Sequence, residues 1–381
     1  MVRHLMQFVL AVCLLVIPTV VLTDKTGEGF PIPFTMGSLQ SGTFTGTLEA
    51  YVRENIPFRE ELRRLGLDLR YAGGSREQSG IFLNENGLMK NFDQPNPQLG
   101  YTQRNTDSIL AFSEALDIPA YMAVIPTACA VRQQYLPTFA QPVNQKKMIE
   151  EIYSQVTGHI ATADVYSTLF NHGDEYIYYR TDDRLTALGG YYAYTVLGQR
   201  LGIDNRAYSQ FDIQYVTNSY DGPLYRLSPY KNVNPDSVQV LRYSQTDRQY
   251  LVNHWGENPN TYNTLYPTHL AQLGQESRVY LGGLSGVTDV KAVSSDKSQR
   301  SLLVFCDEST LPFITLLANH YSRITLIDLF QATEADYEDI ELDEYSQVLF
   351  AYGIETYTHT NIPSRLGKLA QAKGLELEGI L

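Results

Sequence analysis

The chain is poor in the residues that mark many common chemistries. It has 3 cysteines in 381 residues: Cys13, Cys129 and Cys306. None forms a CxxC pair, so neither a zinc ribbon nor a dithiol redox motif is encoded. The 7 histidines are scattered as His4, His159, His172, His254, His269, His320 and His359. They make no HxH or HExxH pattern, which argues against a zinc site. Gly282-Gly283-Leu284-Ser285-Gly286 lacks the Lys and the strand-to-helix setting of a phosphate-binding loop. Basic residues are scarce relative to acidic ones, 29 against 42, for a net charge of −13. Such a surface is unsuited to the phosphates of nucleic acid. There is no internal repeat. No cofactor and no resident metal are expected.

What is present is an ordinary globular composition. Apolar residues make up 43% and charged residues 19%, enough to bury a core and too little charge for disorder. The 28 tyrosines supply aromatic faces with polar tips. They suit either stacking on sugar rings or amphipathic surface. Cys129 and Cys306 lie in apolar runs and read as buried thiols, with a disulfide between them left open.

The first 23 residues read as a signal peptide or signal anchor. Arg3 and His4 precede an apolar run over 5–22. Val21-Leu22-Thr23-Asp24 is a poor cleavage site, which favours an anchor. Cys13 sits in the run, but Val12 stands where a lipoprotein box needs a small residue. Residues 24–40 read as a linker, and the body is expected over 41–381. The localisation that follows is extracytoplasmic, membrane-anchored or secreted.

Within the body, apolar spacing predicts a helix over 47–70, interrupted at Pro57. A hairpin is expected over 80–89, turning at Asn84-Glu85-Asn86-Gly87. Strands are expected at 121–125, 176–179, 302–305, 324–327 and 348–352, with helices at 108–116, 145–156, 187–201 and 311–320. Such alternation implies a mostly parallel sheet covered by helices. Residues 205–295 differ. They are rich in Tyr, Asn, Asp, Ser and Gly, with short β-like runs at 213–216, 237–241 and 279–281, and read as a β-rich insertion.

The segment Tyr178-Tyr179-Arg180-Thr181-Asp182-Asp183-Arg184-Leu185-Thr186 places an acidic pair at the end of an aromatic run, where α/β proteins hold reactive groups. In chain order it joins Tyr51-Val52-Arg53-Glu54-Asn55-Ile56-Pro57-Phe58-Arg59, Ile125-Pro126-Thr127, Phe211-Asp212-Ile213, Pro235-Asp236-Ser237 and Phe305-Cys306-Asp307-Glu308-Ser309. This succession, over residues 40 to 360, resembles the DHHW family of exported bacterial proteins. That family is similar to alginate O-acetyltransferase-like proteins of the SGNH-hydrolase fold group. The resemblance implies a three-layer α/β/α fold with a mostly parallel sheet. It also implies envelope chemistry with a surface polysaccharide as partner, while the membrane is expected as a partner through the N-terminal segment.

In the related acetyl-transfer proteins an Asp orients a His two residues later, and that His activates a Ser from the later block. Carried onto this chain, the Asp is Asp182, the His position holds Arg184 and the Ser position holds Glu308, with Ser309 beside it. Arg cannot serve as a base near neutral pH. The expectation is that Arg184 bridges Asp182 and Glu308. Two readings follow: a degenerate member that binds a glycan or has a structural role, and an O-acetyltransferase or esterase using Ser309 as a shifted nucleophile, with His172 or His320 approaching in space. Whether the chain is an enzyme is left open between them. A third reading gathers Asp182, Asp183, Asp307 and Glu308 as ligands for Mg²⁺ or Ca²⁺.

Overall fold

A computed structural model describes residues 59–377 except 245–247, 257–258 and 294–299, together with Gly37, Ser41 and Thr47. The apolar N-terminal segment, most of the expected linker and the motif at 51–58 lie outside the described residues. Among the described residues no helix is long and apolar enough to cross a membrane. The chain divides into two units, Met1–Ser75 and Arg76–Leu381. In the first, α1 (Arg59–Ala72) forms the last part of the expected helix; Pro57 is not among the described residues.

The second unit opens with three short antiparallel strands, β1 (Glu77–Gln78), β2 (Ile81–Phe82) and β3 (Met89–Lys90). The expected hairpin is β2–β3, with Ile81 opposite Lys90. Next come α2 (Tyr101–Leu116), β4 (Ala120–Ile125), α3 (Gln145–Val156), β5 (Ala161–Thr162), α4 (Val165–Asn171) and α5 (Ala187–Leu201). Five strands follow: β6 (Phe211–Tyr220), β7 (Asp236–Tyr243), β8 (Tyr250–Trp255), β9 (Asn260–Tyr262) and β10 (Val287–Ala292). The chain then returns to alternation with β11 (Ser301–Cys306), α6 (Leu311–Leu317), β12 (Arg323–Ile327), β13 (Gln347–Gly353), α7 (Ile354–His359) and α8 (Leu366–Ala372).

The central sheet has the order β5-β4-β13-β11-β12-β10-β8-β9. The pairs from β5 to β12 are parallel, and those from β12 to β9 are antiparallel. The parallel strands read as near-continuous apolar runs because both their faces are covered. All six residues of β11 are buried. Strand alternation sends successive side chains to opposite faces, and β13 uses both. Phe350 meets Phe112 of α2 edge-on and stacks on Phe305 of β11. Gln347 instead donates to the Leu201 carbonyl at the end of α5. Helices therefore cover both sides. Each aromatic pair adds about 0.5–1.5 kcal/mol beyond the area it buries.

Three expectations are corrected. Residues 176–179 are not a strand of the sheet; they make a single antiparallel bridge, Tyr178 with Leu185. Their backbone is satisfied locally instead, since Tyr179 N–H donates to the Arg184 carbonyl (3.2 Å), and Thr186 N–H and hydroxyl donate to the Ile177 and Tyr176 carbonyls (3.0 and 2.6 Å). Residues 279–281 form a turn, with Leu281 at φ 55°, although Val279 and Leu281 are fully buried. The stretch 205–295 also divides rather than standing apart. β6 and β7 form a separate two-stranded ribbon, while β8, β9 and β10 extend the central sheet. Cys129 and Cys306 are buried free thiols, as expected.

Candidate functional site

Parallel strands leave their carboxyl ends on one edge, where open α/β sheets place their binding crevices. Here Ile125 ends β4, Gly353 ends β13, Asp307 follows β11 and Asp328 follows β12. All four line a groove of about 630 Å³. The loop carrying Asp182, Asp183 and Arg184 forms another wall.

That loop is held by buried charge. Asp236, fully buried, accepts from the Arg180 and Thr181 N–H groups at 2.7 and 2.8 Å, and from the hydroxyls of Tyr176 and Thr181. The hairpin adds a further anchor, Leu88 N–H to the Arg180 carbonyl at 2.6 Å. Behind the loop, Thr186 caps α5 by accepting from Gly189 N–H at 3.2 Å. Two glycines then let α5 approach its neighbours closely. A Cβ on Gly189 would stand 2.1 Å from the Ile177 carbonyl oxygen, and one on Gly190 would stand 2.6 Å from Pro312 Cβ. Pro312 lies in the first turn of α6, directly after the 307–309 block. The Gly-Gly pair thereby joins the two blocks of the site.

Asp182 is fully buried. Arg184 Nε donates to its two carboxylate oxygens at 3.0 and 3.1 Å, and Arg184 Nη2 also donates to Oδ2. Tyr220 hydroxyl donates to Oδ2 at 2.5 Å and lies 3.0 Å from Arg184 Nη2. Burial alone would raise the Asp182 pKa. The Arg184 charge and hydrogen bonds outweigh it and hold the group below the ordinary carboxylate value. Burial would likewise lower the Arg184 pKa, but Asp182 keeps it well above its usual value. The guanidinium is thus locked as a cation.

Glu308 is a weaker partner than expected. Its Oε2 lies 3.7 Å from Arg184 Nη1 and its side chain is 57% exposed. Arg184 does reach both acids, but only the Asp182 contact is buried. Ser309 hydroxyl donates to Asp307 Oδ1, and its N–H donates to the same oxygen at 3.0 Å. Asp307 Oδ2 accepts from Gly353 N–H at 2.9 Å. No histidine lines the groove among the described residues. His172 pairs with Glu175 at 2.6 Å and stacks on Tyr192, while His320 binds the Tyr194 hydroxyl at 2.8 Å. Neither serves Ser309. Among the described residues the acidic side chains are not gathered as a metal site.

Sequence reasoning missed Tyr220 and the anchoring task of Asp236. It also missed that Asp183 differs from its neighbour. Asp183 reaches solvent but sits in a recess beside a buried carboxylate. Desolvation first, and then the Asp182 charge, raise its pKa to about 6. One signal was available: Asp236 stands in a Pro-Asp-Ser run ahead of a strand.

These features define an α/β protein with a crevice at the carboxyl edge of a mainly parallel sheet, walled by an Asp-x-Arg loop and an Asp-x-Ser turn. A family model described as DHHW protein matches residues 114–323, more than half of the chain, and the chain belongs to that family. Its fold is similar to the crystal structure of a DHHW family protein from Eubacterium siraeum, with a TM-score of 0.62 and 18% identity, covering 76% of this chain and 96% of that one. It is also similar to Bacillus cereus PatB1 with a sulfonyl adduct (TM-score 0.59, 14% identity, 74% and 96% covered). The O-acetyltransferase domain of Pseudomonas putida AlgJ is a third likeness (TM-score 0.50, 14% identity, 78% and 99% covered). At these identities the likeness establishes the fold alone, mixed α/β with a mainly parallel central sheet. No curated protein matches the chain significantly.

Proposed function

We propose that this chain is a cell-envelope member of the DHHW family that has no acyl-transfer activity and uses its groove to hold a surface glycan. The observation that carries this reading is the state of Arg184. Where an active relative needs a base, a permanent cation is committed to Asp182 and Tyr220. With no histidine lining the groove among the described residues, the histidine-based proton-transfer path of acyl chemistry is absent there. The apolar segment over 5–22 supports placement at the envelope, anchored or secreted. Phe330, 65% exposed on the groove wall, offers an aromatic face suited to a sugar ring.

One contact favours a second reading. The Ser309 hydroxyl already points its hydrogen at the Asp307 carboxylate, so an esterase with Ser309 as nucleophile and Asp307 as base is the alternative. A pair of assays separates the two. Under the first reading the protein leaves nitrophenyl acetate intact, resists labelling by a sulfonyl fluoride, and binds envelope polysaccharide fragments in a calorimeter, more weakly after Phe330→Ala. Turnover and labelling that vanish in Ser309→Ala would establish the second. Absence of turnover, labelling and fragment binding alike would leave a structural role.

A further inference from the structure

One end of the Arg184 guanidinium is held far less firmly than the other. Nε and Nη2 serve Asp182 and Tyr220. Among the described residues, Nη1 has long contacts alone, to the Ser277 carbonyl at 3.5 Å and to Glu308 Oε2 at 3.7 Å. Both exceed the span of a well-formed N–H···O bond. Beside this end lies a second cavity, a recess of about 20 Å³. Arg184, Leu185, Ser277 and Glu308 line both the recess and the groove, so the one opens off the other. Deeper in, the recess is walled by Val238 of β7, Leu311 and Pro312 of α6, and tyrosine rings. The Tyr220 and Tyr280 hydroxyls are already committed, to Asp182 and to the Gln239 carbonyl. One water needs about 10–15 Å³, so the recess holds a single group the size of a methyl.

We propose that the groove recognises an acetyl substituent on its glycan, with the methyl in the recess and the carbonyl oxygen accepting from Arg184 Nη1. This inference rests on the glycan-binding reading above and names the group the glycan must carry. Charge narrows the choice. The groove is lined by Asp182, Asp183, Asp307, Glu308, Asp328 and Glu355, against Arg184 and Arg226. A uronate or a phosphate is repelled by that lining, whereas a carbonyl brings a dipole and no net charge. Glu308, mostly in water, yields its place beside Nη1 at little cost. The residue that stands where a base would be thus becomes the donor that reads the acyl group. An amide-linked and an ester-linked acetyl present the same methyl and carbonyl.

Calorimetry of the whole protein with four uncharged probes tests this. They are a tetramer of N-acetylglucosamine, its N-butanoyl counterpart, and a glucose tetramer with and without O-acetyl groups. At least one acetylated probe is expected to bind about tenfold or more tightly than its counterpart, from a buried methyl and a hydrogen bond to a charged donor. Which one does so identifies the linkage. Val238→Ile, which fills the recess, should erase the preference. Val238→Ala, which enlarges it, should admit the butanoyl probe; thermal unfolding shows that each variant is folded, and the comparison of probes on the unmodified protein needs neither. A ¹³C-labelled acetyl carbonyl should move to lower infrared frequency on binding. Equal affinity within both probe pairs, or an unmoved carbonyl band in the complex, overturns the inference and leaves the glycan-binding reading standing. Failure of all four probes to bind overturns both.

Discussion

The two walls of the groove are built on opposite principles. The 182–184 loop is fixed by buried charge, with Asp182 and Asp236 both inaccessible to solvent and nearly every carboxylate oxygen engaged. The 307–309 turn is fixed by a half-buried carboxylate, since Asp307 accepts from the Ser309 and Gly353 N–H groups, while Glu308 extends into water. A wall of the first kind tolerates little change, because any removed partner strands a charge away from water. A wall of the second kind tolerates change at its exposed position. The Arg at 184 therefore has structural weight of its own, whereas the Glu at 308 does not.

Removing Arg184 should separate the walls most sharply. Arg184→Met leaves the Asp182 carboxylate buried without its cation, at a cost of about 3–5 kcal/mol, read by denaturant unfolding. Tyr220→Phe removes one hydrogen bond to the same charged group and should cost about 1.5–3 kcal/mol. Gly190→Ala attacks the joint between the walls instead. Its methyl would press on Pro312, and overpacking of this kind costs about 1–3 kcal/mol.

Asp183 should respond in the opposite direction. Its pKa is higher in the folded state, at about 6, than the ordinary carboxylate value of the unfolded chain. Its contribution to stability is therefore greatest in acid, below that ordinary value, and is lost as pH rises through about 6. Asp183→Asn should raise the thermal midpoint at pH 7.5 and leave it nearly unchanged at pH 4. Smallest of all, Glu308→Gln should change stability by no more than about 0.5 kcal/mol, as for exposed ion pairs. If Glu308→Gln and Arg184→Met cost the same, the contrast between the walls fails.

Much of the frame was legible because its signals are local. The apolar runs of β4, β11, β12 and β13 could hardly be anything but buried strands, and the bounds of α3 and α5 follow from cap residues and helical spacing. Residues 176–179 misled because strand-forming aromatics were read without their loop. Their hydroxyls and backbone are consumed by Asp236, Pro126 and Thr186. The pairing of Asp182 with Arg184 was readable from two residues of spacing. Tyr220 was not, and the Pro-Asp-Ser run marked Asp236 without its partners, because each reaches the loop from a distant part of the chain. The different environments of Asp182 and Asp183 were equally hidden. Burial separates them, and two adjacent letters carry no sign of which one faces the water.

The pairing of β4 with β13 bears on how the protein comes into being. Ala123 lies beside Ala351, so the strands that flank the groove come from near the two ends of the second unit. Closing so long a loop is entropically costly and tends to be late and slow. The antiparallel neighbours β8 and β9 are close in sequence and can form early. A chain emerging from synthesis or crossing a membrane thus has no groove until residues 347–353 are available. Until then β4 and β11, which both pair with β13 in the finished protein, have no strand between them. The late arrival of one strand makes the site the last part of the molecule to exist.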